Sequence, residues 1–157
     1  MTASKGNLFL IVCTFIVAFI FTILPMPSWA IWLRPVWILI ALIYWSMVRP
    51  DYVSIGIAWT LGIFLDVLEG TILGEHAFAF SIVTYLVVRM HSRLSMYHLF
   101  QQSLIIFLLV LLYQIIIFGI QGFVDTFPGG WLYLGSPLTS MLLWPWVYGI
   151  LNKKTEV

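Results

Sequence analysis

One carboxylate, Asp66, lies inside an apolar run of this chain, and Glu69 follows it three residues later. Acids spaced i,i+3 share a helix face, so the pair could support general acid–base chemistry. No electrophile-stabilising group accompanies them. Read at every fourth position, Ser54, Ala58, Gly62, Asp66, Gly70 and Gly74 form a single helical ridge of small residues around that acid. In lipid, small residues let helix backbones approach closely, because no hydrophobic force draws helices together there. The ridge therefore reads as a packing seam, with Asp66 bonding to a neighbouring helix or to a partner. The simpler alternative is an interfacial carboxylate at a helix end. A proton relay is disfavoured, because no second carboxylate shares a span with Asp66.

Four further groups of polar or unusual residues stand out. Arg34–Pro35 opens an apolar run. Arg34 could pair with Asp66 or Glu69, or could extend to lipid phosphate with Trp37 as an interfacial anchor; the residues leave these readings even. Gln114 and Gln121 are seven apart on one helix face, and Asp125 continues that face. Such amides act as hydrogen-bond glue between membrane helices or line a polar cavity, and glue is the favoured reading. Trp144–Pro145–Trp146 could shape a docking groove, although a bent helix with interfacial indoles explains it more simply. The polar stretch from Arg89 to Gln102 carries Arg89, His91, Arg93 and His98; it could touch a cytoplasmic partner or acidic lipid headgroups, but a solvated loop that determines topology is the favoured reading.

Motifs for other chemistry are absent. The sequence has no His-Glu-x-x-His, no Gly-x-Ser-x-Gly and no P-loop, so no enzymatic activity and no cofactor are expected. His91 and His98 lack acidic or cysteine partners at metal-ligand spacing. Cys13 is the single cysteine, which precludes a disulfide within the chain. A net charge of +1 provides no footprint for nucleic acid.

The elements that must position these residues are set by composition. Of 157 residues, 62% are hydrophobic and 8% charged, against roughly a quarter charged in soluble domains. The mean hydropathy is +1.07. Lipid is the expected solvent, and one all-α domain, a polytopic membrane helix bundle of about six spans, is the expected architecture. The expected spans are 8–24, 31–48, 53–68, 72–88, 104–124 and 131–151, the first retained rather than cleaved as a signal peptide. Pro35 would sit in the first turn of the second span. Pro137 and Pro145 suggest a bent or partly re-entrant sixth. A five-span arrangement is the alternative. Six spans with cytoplasmic termini place Lys5, Arg49, Arg89, Arg93, Lys153 and Lys154 inside and only Arg34 outside, as the positive-inside rule requires. Trp29, Trp32, Trp37, Trp131 and Tyr133 would then form an outer aromatic belt.

Three stretches resemble one known family: Leu33-Arg34-Pro35-Val36-Trp37, then Gly62-Ile63-Phe64-Leu65-Asp66 running on to Gly70-Thr71-Ile72-Leu73-Gly74, then Leu143-Trp144-Pro145-Trp146. In this order they resemble the bacterial rod shape-determining protein MreD family, in its gammaproteobacterial branch, across essentially the whole chain. Glu69 departs from the small polar residue expected in that turn. The resemblance implies a non-enzymatic scaffold in the bacterial inner membrane that binds MreC. It would act with MreB, RodZ, RodA and the elongation penicillin-binding transpeptidase to couple cytoplasmic filaments to peptidoglycan synthesis. It also implies a fold similar to the substrate-binding subunit of energy-coupling-factor transporters. That similarity keeps a transporter-like binder of a small ligand or lipid as the alternative function.

Overall fold

The computed structural model describes residues 2–124 and 131–155. Among these residues the fold is entirely helical. Six α-helices follow one another: α1 (Thr2–Ile23), α2 (Trp37–Val48), α3 (Ile55–Glu69), α4 (Glu75–Leu94), α5 (Leu99–Phe123) and α6 (Gly135–Thr155). Short 3-10 turns at Ile31–Leu33 and Trp131–Leu134 precede α2 and α6.

Local chemistry accounts for the boundaries. α1 stops at Ile23, just before Pro25 and Pro27, neither of which can supply a helical N–H. Arg34 is extended (φ −65°, ψ 117°), as expected of a residue that precedes proline. Pro35 consequently lies two residues ahead of α2 rather than in its first turn, and the second expected span splits into a 3-10 turn, an extended corner and a 12-residue helix. α2 is about 18 Å long at 1.5 Å per residue, well short of a roughly 30 Å hydrocarbon core.

α2 forms the centre of the bundle. Every residue from Ile38 to Met47 is buried. A helix that is apolar on all sides requires neighbours on all sides, and α1, α4 and α6 supply them. α3 packs most extensively on α4, and α5 packs on both α4 and α6.

Several expected boundaries shift. The fourth element begins at Glu75, not Ile72, and continues to Leu94, so Arg89, His91 and Arg93 are helical and only Ser95–His98 connects α4 to α5. The cause is Gln102, whose buried amide donates to the Leu94 carbonyl (2.9 Å) and the Tyr97 carbonyl (3.2 Å). It thereby satisfies carbonyls that a helix end leaves unpaired. α5 correspondingly starts at Leu99 rather than Leu104. α6 is helical from Gly135 through Pro145 to Thr155, with Pro137 in its first turn, where a missing N–H matters little. Three stretches, Gly6–Ile23, Ile31–Val48 and Leu99–Phe123, are long and apolar enough to cross a membrane.

Candidate functional site

The polar centre of the molecule is the turn between α3 and α4. α3 ends because Gly70 adopts the left-handed conformation (φ 66°), with its N–H on the Asp66 carbonyl; the Thr71 N–H reaches the same oxygen at 3.1 Å. Gly74 is also left-handed (φ 99°) and caps the start of α4. Residues with a Cβ strongly disfavour this conformation. The every-fourth ridge therefore stops at Asp66. Gly70 and Gly74 are turn residues, not a continuation of the helical seam, and Ser54 is an exposed residue at the start of α3.

Within the ridge, Ala58, Gly62 and Asp66 are buried. Gly62 marks the crossing of α3 and α4. A Cβ built there would fall on the backbone N and Cα of Ala77 and lie 2.7 Å from the His76 carbonyl carbon.

That approach places Asp66 beneath the first turn of α4. Its carboxylate is 1% exposed and accepts four hydrogen bonds. Oδ2 receives the Gly74 N–H at 2.8 Å. Oδ1 receives the His76 N–H at 3.0 Å, His76 Nδ1 at 2.7 Å and the Thr71 hydroxyl at 3.2 Å. A carboxylate can only accept, so Nδ1 carries the proton. His76 Nε2 faces Glu69 Oε2 at 3.7 Å. Asp66 thus satisfies the open N-terminal donors of α4, and its charge suits the positive end of the α4 dipole.

Further polar bonds join the other helices. Gln121 donates to the buried Glu75 at 2.7 Å, linking α5 to α4. Gln114 donates to the Tyr133 carbonyl at 2.8 Å, linking α5 to the turn before α6. Asp125, expected on the same face, lies outside the described residues. Trp144 is fully buried against Tyr44 and Tyr148 and donates to Gln102 at 3.2 Å. Two residues on, Trp146 is 73% exposed, with Pro145 between them in unbroken helix. The two indoles face opposite ways and form no shared groove.

Arg34 pairs with neither Asp66 nor Glu69. The Asp66 oxygens are taken by donors from the turn, and the described ion pairs of Asp66 and Glu69 are both with His76. The guanidinium Nε and Nη2 are buried without hydrogen-bond partners. Arg34 and Pro35 line a small cavity of about 100 Å³ with Glu69, His76 and Tyr113. Arg34 also lines a second cavity of about 230 Å³ with Gln114, Gln121, Tyr133 and Ser136.

Sequence reasoning missed His76, Glu75, Thr71 and Gln102. His76 and Glu75 read only as blemishes at the start of a span. The available signal was the pair of glycines four apart directly before them, because a glycine turn there folds His76 back onto Asp66.

An all-helical bundle with three membrane-length apolar stretches, whose buried polar groups bond helix to helix, defines a membrane protein built around internal polar clamps. More particularly, the chain belongs to the rod shape-determining protein MreD family, whose sequence profile matches residues 2–154. It is 32% identical over 145 residues to the rod shape-determining protein MreD of Haemophilus influenzae, covering 92% of this chain and 90% of that protein. No solved structure matches the chain. The family is one of shape-determining structural proteins and is not a known enzyme family.

Proposed function

We propose that this chain is a non-enzymatic scaffold of the rod-elongation machinery in the bacterial inner membrane. It binds MreC and helps couple MreB filaments, with RodZ, RodA and the elongation penicillin-binding transpeptidase, to peptidoglycan synthesis. The observation that carries this reading is the state of Asp66. The best candidate for an intramembrane reactive group is engaged by four donors and holds α3 against α4, which is the work of a rigid framework. Large apolar side chains on the outside of α3 and α5, among them Trp59, Phe64, Leu108 and Ile115, offer faces to lipid or to partner helices.

In this reading all six helices cross the bilayer, the short ones joined to adjoining turn residues. The count is even, so both termini share a side, and the Lys and Arg distribution makes that side cytoplasmic.

Photocrosslinking residues introduced in cells at Trp59, Phe64, Leu108 and Ile115 test the proposal, with buried Ala58 and Val110 as controls. At least one exposed position should capture MreC, and the buried positions should not. If no exposed position yields a product with any elongation protein while the protein is inserted at normal level, the scaffold reading fails.

A further inference from the structure

We propose that the cavity beside Arg34 is a binding site for a phosphate group, with the Arg34 guanidinium as its principal ligand. The proposal rests on an unpaired charge and on the shape of the space beside it, and stands independently of the scaffold reading.

Two guanidinium nitrogens of Arg34 are buried without a partner. Arg34 as a whole is half-buried, but donors cut off from water without an acceptor are costly in a protein interior. None of the neighbouring acids forms an ion pair with Arg34, although Glu69 lines the smaller cavity beside it. Asp66 is saturated by donors of its own turn, Glu75 accepts from Gln121, and Glu69 is 38% exposed and faces His76. Ser136, in the first turn of α6, lines the same 230 Å³ cavity; it is 8% exposed, and its hydroxyl is also buried without a partner. Two orphaned donors thus line one cavity.

The guanidinium fork matches the oxygens of phosphate, and a hydroxyl supplies a third donor. At about 230 Å³, the cavity is smaller than the ~300–1,000 Å³ that encloses a whole drug-sized ligand. It therefore suits a headgroup whose remainder stays outside. Trp32, Phe118 and Tyr133 provide aromatic walls, compatible with an amphiphile entering from the bilayer. The same chemistry would accept free inorganic phosphate.

Purified full-length protein in detergent is titrated with phosphatidylglycerol, with inorganic phosphate and with diacylglycerol, and binding is read by native mass spectrometry. Phosphatidylglycerol should bind and diacylglycerol should not. Inorganic phosphate that displaces the lipid on equal terms identifies the free ion as the ligand; failure to displace it identifies the lipid headgroup. Arg34→Gln should weaken binding about tenfold to a hundredfold, the loss of one or two charge-assisted hydrogen bonds. Arg34→Lys, which keeps the charge but loses the fork, should fall between, and Ser136→Ala should lose a few-fold. Far-ultraviolet circular dichroism verifies that each variant is folded. If Arg34→Gln does not fold, Arg34→Lys and Ser136→Ala decide the matter. Equal binding by wild type and folded variants, or equal binding of diacylglycerol, overturns the proposal.

Discussion

Replacing Asp66 by Asn retains the side-chain shape and removes the charge. The consequence follows from which oxygen meets which donor. Oδ1 faces three donors and Oδ2 faces the Gly74 N–H. The amide gains most by leaving its oxygen at the Oδ1 position, which aims its NH₂ at the Gly74 N–H. One backbone donor then loses its acceptor, at about 1–3 kcal/mol, and three remaining bonds lose charge assistance worth several tenths to 1 kcal/mol each. Neutralising a buried carboxylate recovers part of its desolvation cost. The net destabilisation should be about 2–4 kcal/mol. Reversible unfolding in mixed detergent–SDS micelles measures it. A double-mutant cycle with His76→Ala should give about 1–2 kcal/mol of coupling. If Asp66→Asn unfolds within about 0.5 kcal/mol of wild type, or the cycle shows no coupling, Asp66 is not the clamp of the α3–α4 hairpin.

Substitutions at four other positions probe the same framework. Gly62→Val places a branched Cβ in the Ala77 backbone and should destabilise by about 3 kcal/mol or more, seen as poor accumulation in the membrane fraction or early unfolding in the same titration. At Gly70, where φ is 66° and no atom lies within 4 Å of an added Cβ, Asn should be tolerated within about 1 kcal/mol because it enters the left-handed region, whereas Val should cost about 2 kcal/mol; equal effects would mean that backbone strain does not govern the site. Trp144→Phe removes the bond to Gln102 and leaves buried space, costing about 1–3 kcal/mol, while Trp146→Phe on the exposed face should stay within about 0.5 kcal/mol. Comparing the two unfolding midpoints separates a core indole from a surface one.

Legibility varied with the range of the physics involved. The apolar runs, the breaks at Pro25 and Pro27 and the close approach at Gly62 depend on composition, on proline's missing donor and on residue size, and all three can be read locally. The start of α4 could not be read that way. Ile72 and Leu73 look like the beginning of a span, but the glycine caps of α3 and α4 force a turn through them and move the start to Glu75. The long basic loop expected after α4 shrank because Gln102, eight residues beyond Leu94, extends back to cap that helix. The pairing of Arg34 with Asp66 or Glu69 failed because it considered only charge and depth. It could not count the four donors already assigned to Asp66.

By itself, the sequence determined an all-helical chain suited to lipid, its approximate helices, its small-residue crossing and, through three ordered motifs, its family. These follow from composition, from local backbone rules and from residue identity. The tertiary structure alone decided that α2 is the buried axis, that Asp66 closes on His76 across a glycine turn, that the two Trp beside Pro145 face opposite ways, and that Arg34 is left with two orphaned donors. Each of these depends on groups brought together from different elements, whose distances and competing partners exist only once the helices have packed.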